Sequence, residues 1–121
     1  MSKKIMLVDD AAFMRMMIKN TLQQNGFTDI VEADNGEKAI SVYNAEKPDL
    51  ILMDITMPVM DGLEALKKLK EINSDVKVVM CSAMGQEAMV VEALKLGAKD
   101  FIVKPFKPDR IMKTVNGILG Q

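Results

Sequence analysis

Short apolar runs alternate with segments of helical periodicity along the whole chain, and this alternation limits what the chain can fold into. The predicted strands are Lys4–Val8, Asp29–Glu32, Asp49–Met53, Val76–Cys81 and Asp100–Val103. Strands that alternate with helices in this way form βαβ units, and βαβ units build a parallel sheet. Because their crossovers are right-handed, we predict an α/β fold: a doubly wound, five-stranded parallel sheet with helices on both faces.

The helical segments are recognised by apolar residues that recur every three or four positions. The first carries Phe13, Met14, Met17, Ile18, Thr21 and Leu22 and is expected to stop at Gly26. The others carry Ala39, Ile40 and Tyr43; Leu63, Leu66, Leu69 and Ile72; Met89, Val90, Ala93 and Leu94; and Ile111, Met112, Val115, Ile118 and Leu119. We assign Met14, Met17, Met53 and Met80 to the core. A length of 121 residues fits one domain, so residues 1–121 are expected to form a single unit.

Composition excludes several classes of function. The formal net charge is -1, with 16 basic and 17 acidic residues, which argues against a nucleic-acid or membrane-surface partner. The absence of His excludes an imidazole base and a His metal ligand. Cys81 is the single cysteine, so it forms no internal disulfide, and we predict that it is a buried strand residue. With no targeting segment or membrane span in the sequence, a cytoplasmic location is expected.

Acidic residues stand where two of the predicted strands end. The pair Asp9-Asp10 ends the first apolar run, and Asp54 ends the third. Ligands of open α/β sheets bind at the carboxyl ends of the strands, so these acids are expected to converge there. Three carboxylates would repel one another unless a cation lay among them. Oxygen ligands without Cys or His favour a hard cation, Mg²⁺ before Zn²⁺.

Two further polar residues end the fourth and fifth runs at the same edge. Ser82 ends the fourth run and Lys104 ends the fifth. Each residue alone is more often a cap, a turn residue or a solvated side chain, but their coincidence at one sheet edge favours a functional site. A carboxylate nucleophile, a hydroxyl donor, a fixed cation and a metal site are what phosphoryl transfer to an aspartate requires.

Four segments carry a resemblance to a known family over nearly the whole chain. They are Ile5-Met-Leu-Val-Asp-Asp10, Asp54-Ile-Thr-Met-Pro58 with Met60-Asp-Gly62, Ser82-Ala83, and Lys104-Pro-Phe106. In this order and spacing the chain resembles the receiver domains of two-component response regulators. The resemblance implies a flavodoxin-like fold with strand order 2-1-3-4-5. It also implies a single receiver domain at residues 1–121, with no output domain.

The resemblance further implies roles for the residues at the sheet edge. Asp54 would accept a phosphoryl group from a partner kinase's phosphohistidine. Asp10 and Asp54 would bind Mg²⁺ directly with the backbone carbonyl of Thr56, and Asp9 mainly through water. Ser82 would donate a hydrogen bond to the acyl phosphate and Lys104 would pair with it. The Lys104-Pro105 peptide bond would be cis.

Phe101 occupies the position of the family's switch aromatic residue. We expect phosphorylation to draw Ser82 inward and Phe101 to turn inward after it, although Phe101 could also be a strand residue packed in one state. An inward Phe can be buried without a polar partner. The surface that reads out the switch would comprise Met84–Leu96, Lys99–Val103 and Asp109–Leu119.

Three segments are most similar to the free-standing chemotaxis branch of this family: residues 9–15, 81–85 and 98–106. That similarity implies a chemotaxis histidine kinase as donor, a flagellar motor switch protein as target and an acyl-phosphate phosphatase as a further partner. It also implies a monomer. Ser82 in place of Thr and Phe101 in place of Tyr are departures that bear on motor binding and on coupling between site and surface.

Other functions remain to be weighed against this one. The alternative within the family is a phosphorelay intermediate or the receiver domain of a larger response regulator. A turnover enzyme such as an aspartyl-phosphate phosphatase is disfavoured because Thr56 stands where a second acid would act. A flavin or nucleotide binder is disfavoured because Asp9-Asp10, not a glycine-rich loop, follows the first strand. We therefore expect a protein that catalyses its own phosphorylation and dephosphorylation rather than turnover of an external substrate.

Overall fold

A computed structural model describes residues 3–120 of the protein. Its strands are β1 (Lys4–Val8), β2 (Asp29–Ala33), β3 (Leu50–Asp54), β4 (Val78–Ser82) and β5 (Asp100–Val103). Its helices are α1 (Ala12–Gln24), α2 (Gly36–Glu46), α3 (Gly62–Ile72), α4 (Glu87–Lys95) and α5 (Pro108–Leu119). Strands and helices alternate strictly over the described residues, as the sequence predicts.

The strands form one parallel sheet in the order β2-β1-β3-β4-β5. The predicted doubly wound fold and its strand order are therefore confirmed. β1 is an interior strand, with β2 on one side of it and β3 on the other, so the connections after β1 and β2 run in opposite directions across the sheet. This reversal opens a crevice between the carboxyl ends of β1 and β3, which is where open α/β sheets bind their ligands.

Each face of the sheet has its own apolar core. Alternate strand residues point to opposite faces, so Met6 and Val8 contribute to one core and Ile5 and Leu7 to the other. The first core is closed by residues of α2, α3 and α4, and the second by residues of α1 and α5. The sheet is thus covered on both sides, and the polar residues of the interior strands β1, β3 and β4 lie where those strands begin or end.

Strand pairing extends beyond the apolar runs at the carboxyl edge. β3 begins at Leu50 and reaches Asp54, and β4 is shifted to Val78–Ser82 from the predicted Val76–Cys81. The reason is the register, in which Asp54 pairs with Cys81 and Ser82 pairs with Val103. Asp54 and Ser82 are therefore held by the sheet rather than by a loop. Cys81 is buried, as predicted.

Helix α1 buries less than its apolar pattern predicts. Ile18 and Leu22 are buried, but Met17 is 41% exposed and Phe13 is 65% exposed. The core assignment of Met17 is therefore wrong, and Met14 is only half-buried. A helix on a flat sheet buries a narrow stripe, so residues that flank the stripe stay in contact with water. Met53 and Met80, which lie on central strands, are fully buried as predicted.

None of the helices in the described part of the chain combines the length and the apolar character needed to cross a bilayer.

Candidate functional site

Three carboxylates meet at the carboxyl edge of the sheet. Asp54 is the last residue of β3, and Asp9 and Asp10 follow the neighbouring strand β1, whose Val8 pairs with Met53. One carboxylate oxygen from each acid lies within 4.8 Å of the others. Asp9 and Asp54 are buried, whereas Asp10 is exposed. The structure therefore brings the three predicted acids together.

Lys104 directly follows β5, and its side chain extends along the carboxyl edge into this cluster. Its backbone N–H donates to the carbonyl of Ser82 at 2.7 Å, which fixes Lys104 beside the end of β4. Its Nζ lies 3.2 Å from Oδ2 of Asp9 and 3.1 Å from Oδ2 of Asp54. The ammonium group therefore bridges the two buried acids. The Lys104-Pro105 peptide bond is cis, as predicted.

Burial and charge act in opposite directions on the two central groups. Burial raises the pKa of Asp54, and Asp9 adds to that rise, while Lys104 and the Ile55 N–H oppose it without cancelling it. Burial alone would lower the pKa of Lys104, but its hydrogen bond with Asp54 and the negative charges of both acids raise it overall. The charged form of Lys104 is thus favoured. The single ammonium group does not, however, offset the cost of burying the Asp54 carboxylate beside Asp9.

Asp9 is oriented by groups that the sequence analysis did not single out. The Ala11 N–H donates to its Oδ1 at 2.9 Å, and Nη1 of Arg15 donates to its carbonyl oxygen at 2.5 Å. Arg15 is itself held by Glu32 of β2, with Nε 2.9 Å from Oε1. No local pattern connects Arg15 with Glu32, so the sequence offers no signal for this support. It keeps the backbone of the acidic pair in place.

The segment between β3 and α3 folds tightly against the site. Ile55 and Met57 are buried, and the Gly62 N–H donates to the Ile55 carbonyl at 2.7 Å. A Cβ atom on Gly62 would collide with the Asp54 carbonyl oxygen and lie 2.9 Å from Cα of Ile55. Only glycine permits this close approach, which explains the Met60-Asp-Gly62 segment. The position of Asp54 thus depends on the missing side chain of Gly62.

The structure also places the remaining predicted residues. Ser82 is 1% exposed at the end of β4, one step beyond the residue that pairs with Asp54. Phe101 is partly buried on β5 and packs against the core on the α2, α3 and α4 side. Thr56 is exposed, and its hydroxyl accepts a hydrogen bond from Gln86 at 2.7 Å. A metal-binding role for its backbone carbonyl stays a prediction.

An apolar groove runs from Ser82 along the face of α4 and β5. It has a volume of ≈ 410 Å³. Its lining residues are Ser82, Ala83, Met84, Glu87, Val90, Val91, Leu94, Phe101 and Val103. Met84 is 81% exposed and Met89 is 41% exposed on the predicted readout surface, but Met112 is buried and contributes to the core instead. The groove connects the polar edge with that surface.

The donor set of the cluster suits a divalent cation. Three carboxylates offer oxygen atoms within 4.8 Å of one another, and hard cations such as Mg²⁺ prefer such ligands. A second positive charge would also relieve the repulsion that Lys104 leaves between Asp9 and Asp54. The residues present therefore fit a divalent metal ion.

Comparison with known proteins agrees with this geometry. Residues 5–116 match the family described as response regulator receiver domain. The chain belongs to this family. It is similar to the chemotaxis protein CheY of Bacillus subtilis, with 55% identity over 99% of this chain and 100% of that protein. It is also similar to the chemotaxis protein CheY of Thermotoga maritima, with 51% identity over 98% of both chains.

A solved structure extends the comparison to three dimensions. The receiver domain is similar to the CheX–CheY–BeF3–Mg²⁺ complex from Borrelia burgdorferi, with a TM-score of 0.92 and 34% identity. The match covers 97% of this chain and 89% of the other. The predicted resemblance to chemotaxis receivers is therefore confirmed. Receiver domains of this kind are signalling proteins rather than enzymes that turn over a substrate.

Proposed function

We propose that this receiver domain is a phosphorylation-controlled switch of chemotaxis, in which Asp54 accepts a phosphoryl group from a histidine kinase. The observation that carries the proposal is the position of Lys104. Its Nζ lies within 3.2 Å of both Asp9 and Asp54, beside a cluster of three carboxylates. A purely structural ion pair would need one buried acid, whereas here one cation pairs with two buried acids and a third acid lies beside them, at the edge where α/β sheets bind ligands.

The chemistry follows from the groups at this edge. A carboxylate oxygen of Asp54 attacks the phosphorus atom, and the P–N bond of the donor phosphohistidine breaks. The leaving imidazole nitrogen keeps the bonding electron pair and takes up a proton, while Asp54 becomes an acyl phosphate. Lys104 neutralises an oxygen of the transferring group, and the Ser82 hydroxyl donates to another. Although burial alone would lower the pKa of Lys104, Asp54 and Asp9 raise it overall, which favours the charged form of the ammonium group.

Mg²⁺ is the cofactor that we propose for the acidic cluster. Asp9, Asp10, Asp54 and the backbone carbonyl of Thr56 would hold it. When bound, it supplies positive charge that neutralises the phosphoryl oxygens. Asp10 is exposed whereas Asp9 and Asp54 are buried, so Asp10 provides the open side from which an ion and a donor can enter.

The groove beside Ser82 supports a route from the site to the surface. Ser82 and Phe101 both line it. An inward movement of Ser82 towards the phosphoryl group would vacate space that the partly buried ring of Phe101 can enter. Ring-resolved NMR of Phe101, with and without BeF3⁻ and Mg²⁺, tests this step. We expect a changed ring environment, and one unchanged environment would contradict the switch.

The partners that we propose come from the similarity to chemotaxis proteins. They are a chemotaxis histidine kinase as phosphoryl donor and a flagellar motor switch protein as target, both met in the cytoplasm. The Borrelia burgdorferi relative is seen in a complex with CheX, so a protein of that kind is a further candidate partner. The target would bind the exposed surface around the groove.

Intact mass spectrometry tests the central step. Wild type and Asp54→Asn are incubated side by side with Mg²⁺ and acetyl phosphate, and we expect a single phosphoryl adduct on wild type alone. No adduct, under conditions that label a known receiver, would refute the proposal. A second experiment adds a histidine phosphotransfer protein to the phosphorylated chain. Efficient loading of that protein would favour the phosphorelay alternative over the motor switch.

A further inference from the structure

The amide side chain of Gln86 joins two loops beside the site. Its Oε1 accepts the Ala83 N–H at 2.6 Å, and its Nε2 donates to Oγ1 of Thr56 at 2.7 Å. Ala83 directly follows Ser82, the last residue of β4, and Thr56 lies two residues beyond Asp54. One side chain therefore connects the segment after the proposed phosphoacceptor with the segment after the proposed hydroxyl donor.

Stabilisation of its own helix does not explain this arrangement. Gln86 is the N-cap residue of α4, but its side chain makes no capping hydrogen bond with that helix, and its hydrogen bond to α4 is a long one, from Nε2 to Sδ of Met89 at 3.8 Å. Short side chains such as Ser, Thr, Asp and Asn are preferred at an N-cap because they accept from the helix N–H groups. Gly85, with φ of +89°, supplies the turn between Ala83 and Gln86. The oxygen and the nitrogen of the Gln86 amide thus each form a hydrogen bond with a different loop.

We propose that Gln86 is a positioning residue, a latch that must release the Ala83 N–H when Asp54 is phosphorylated. The inference rests on the proposed function of Asp54. Asp54 pairs with Cys81 at the end of the ladder, and just beyond it Gln86 holds Ala83 next to Thr56. Neighbouring strands are about 4.8 Å apart. A phosphoryl group on Asp54 therefore projects towards the N–H that Gln86 occupies.

Competition between two acceptors gives the latch its direction. The Ala83 N–H can donate to the neutral amide oxygen of Gln86 or to a charged phosphoryl oxygen, and charged acceptors form stronger hydrogen bonds. Ala83 also lines the apolar groove, so its release moves the wall of that groove together with Ser82. The latch thus slows phosphorylation and holds the groove in place until Asp54 carries the phosphoryl group.

Two variants of Gln86 and one control variant at another glutamine test the latch. Gln86→Ala removes the hydrogen bonds to Ala83 and Thr56 together with the long one to Met89, and Gln86→Glu keeps an acceptor for Ala83 but makes it charged. Gln23→Ala is the matched control, since Gln23 is exposed near the far end of α1. Phosphorylation rates are measured with acetyl phosphate and Mg²⁺ by intact mass. We expect Gln86→Ala to react about tenfold faster than wild type, Gln86→Glu to react more slowly, and Gln23→Ala to be unchanged.

The Ala83 amide provides a readout that is independent of phosphorylation. In ¹H–¹⁵N spectra without a phosphodonor, we expect its signal to shift and its hydrogen exchange to accelerate in Gln86→Ala. A merely structural role would move the rates of Gln86→Ala and Gln86→Glu in the same direction. That result, or rates within twofold of wild type for both, would overturn the latch while Asp54 remains the acceptor. If wild type itself takes up no phosphoryl group, the proposed function fails and the latch fails with it.

Discussion

The two edges of the sheet use the same kinds of charged residue in different ways. At the amino edge, Nζ of Lys4 lies 2.7 Å from Oε1 of Glu46, and the Lys4 N–H donates to the Asp49 carboxylate at 2.8 Å. The Lys4 and Glu46 side chains are 26% and 43% exposed. At the carboxyl edge, the Asp9 and Asp54 side chains are only 5% and 9% exposed around Lys104.

The difference lies in how far water reaches the charged groups of each edge. The hydrogen bond to Glu46 raises the pKa of Lys4, and water screens whatever charge is left over. At the carboxyl edge one ammonium group serves two buried acids with Asp10 beside them, so negative charge is left in excess. The charges of the amino edge are thus screened by water, whereas the buried carboxyl edge needs further positive charge. An unbalanced, buried edge is suited to binding a cation and an activated phosphoryl group.

The largest effect should come from filling the close approach at the carboxyl edge. Gly62→Ala forces a methyl group into the backbone of Asp54 and Ile55, so we expect the free energy of unfolding to fall by about 3 kcal/mol. Urea unfolding measures it. Gly117→Ala is the control, because nothing lies within 4 Å of its added Cβ on α5, and it should stabilise the protein by about 0.5–1 kcal/mol. Equal effects at both glycines would contradict the close approach.

Mg²⁺ should stabilise the folded protein through the carboxyl edge alone. At a hundredfold excess over its dissociation constant, we expect about 2.7 kcal/mol. Thermal unfolding with and without Mg²⁺ measures the gain. Asp10→Asn should lose most of it, since one of the three clustered carboxylates becomes an amide. Asp49→Asn, at the amino edge, should keep the full stabilisation by Mg²⁺. A reduced stabilisation in Asp49→Asn would mean that the ion binds at the amino edge, which would contradict the prediction.

Removing the lysine charge at each edge in turn compares the buried ion pairs with the exposed one. Lys104→Met leaves Asp9 and Asp54 buried without their cation, and without a divalent metal we expect a loss of about 2 kcal/mol in the free energy of unfolding. Lys4→Met removes an exposed pair and should leave the unfolding curve unchanged within error. Both are measured by urea unfolding in EDTA. A similar loss in the two variants would mean that the edges do not differ as their burial indicates.

The smallest expected effect is a gain in stability. Asp54→Asn removes one of the mutually repelling carboxylates, so in EDTA at neutral pH we expect a gain of about 1 kcal/mol. Burial raises the pKa of Asp54 above its ordinary value of 3.8. As the pH falls through the raised pKa, protonation of Asp54 removes its repulsive charge. The free energy of unfolding of wild type should therefore approach that of Asp54→Asn. Unfolding curves at several pH values measure this, and a variant less stable than wild type at neutral pH would contradict the argument.

The sequence by itself determined the fold and most of the candidate site. Periodicity predicted the strands and helices because it reflects which side chains must leave water, and the parallel sheet followed from their alternation. Since parallel strands share one carboxyl edge, Asp9, Asp10 and Asp54 had to converge. Strand ends were less well defined, because the ladder pairs Asp54 and Ser82 as well as the apolar residues before them.

Only the tertiary structure decided how the side chains are paired and which apolar residues stay in water. The support of Asp9 by Arg15, and of Arg15 by Glu32, joins a helix to the edge strand β2. The Gln86 bridge joins two loops, and the exposure of Met17 depends on how α1 lies on the sheet. A local pattern carries the burial preference of a segment, but hydrogen bonds between distant segments depend on distances that exist only after the elements have packed.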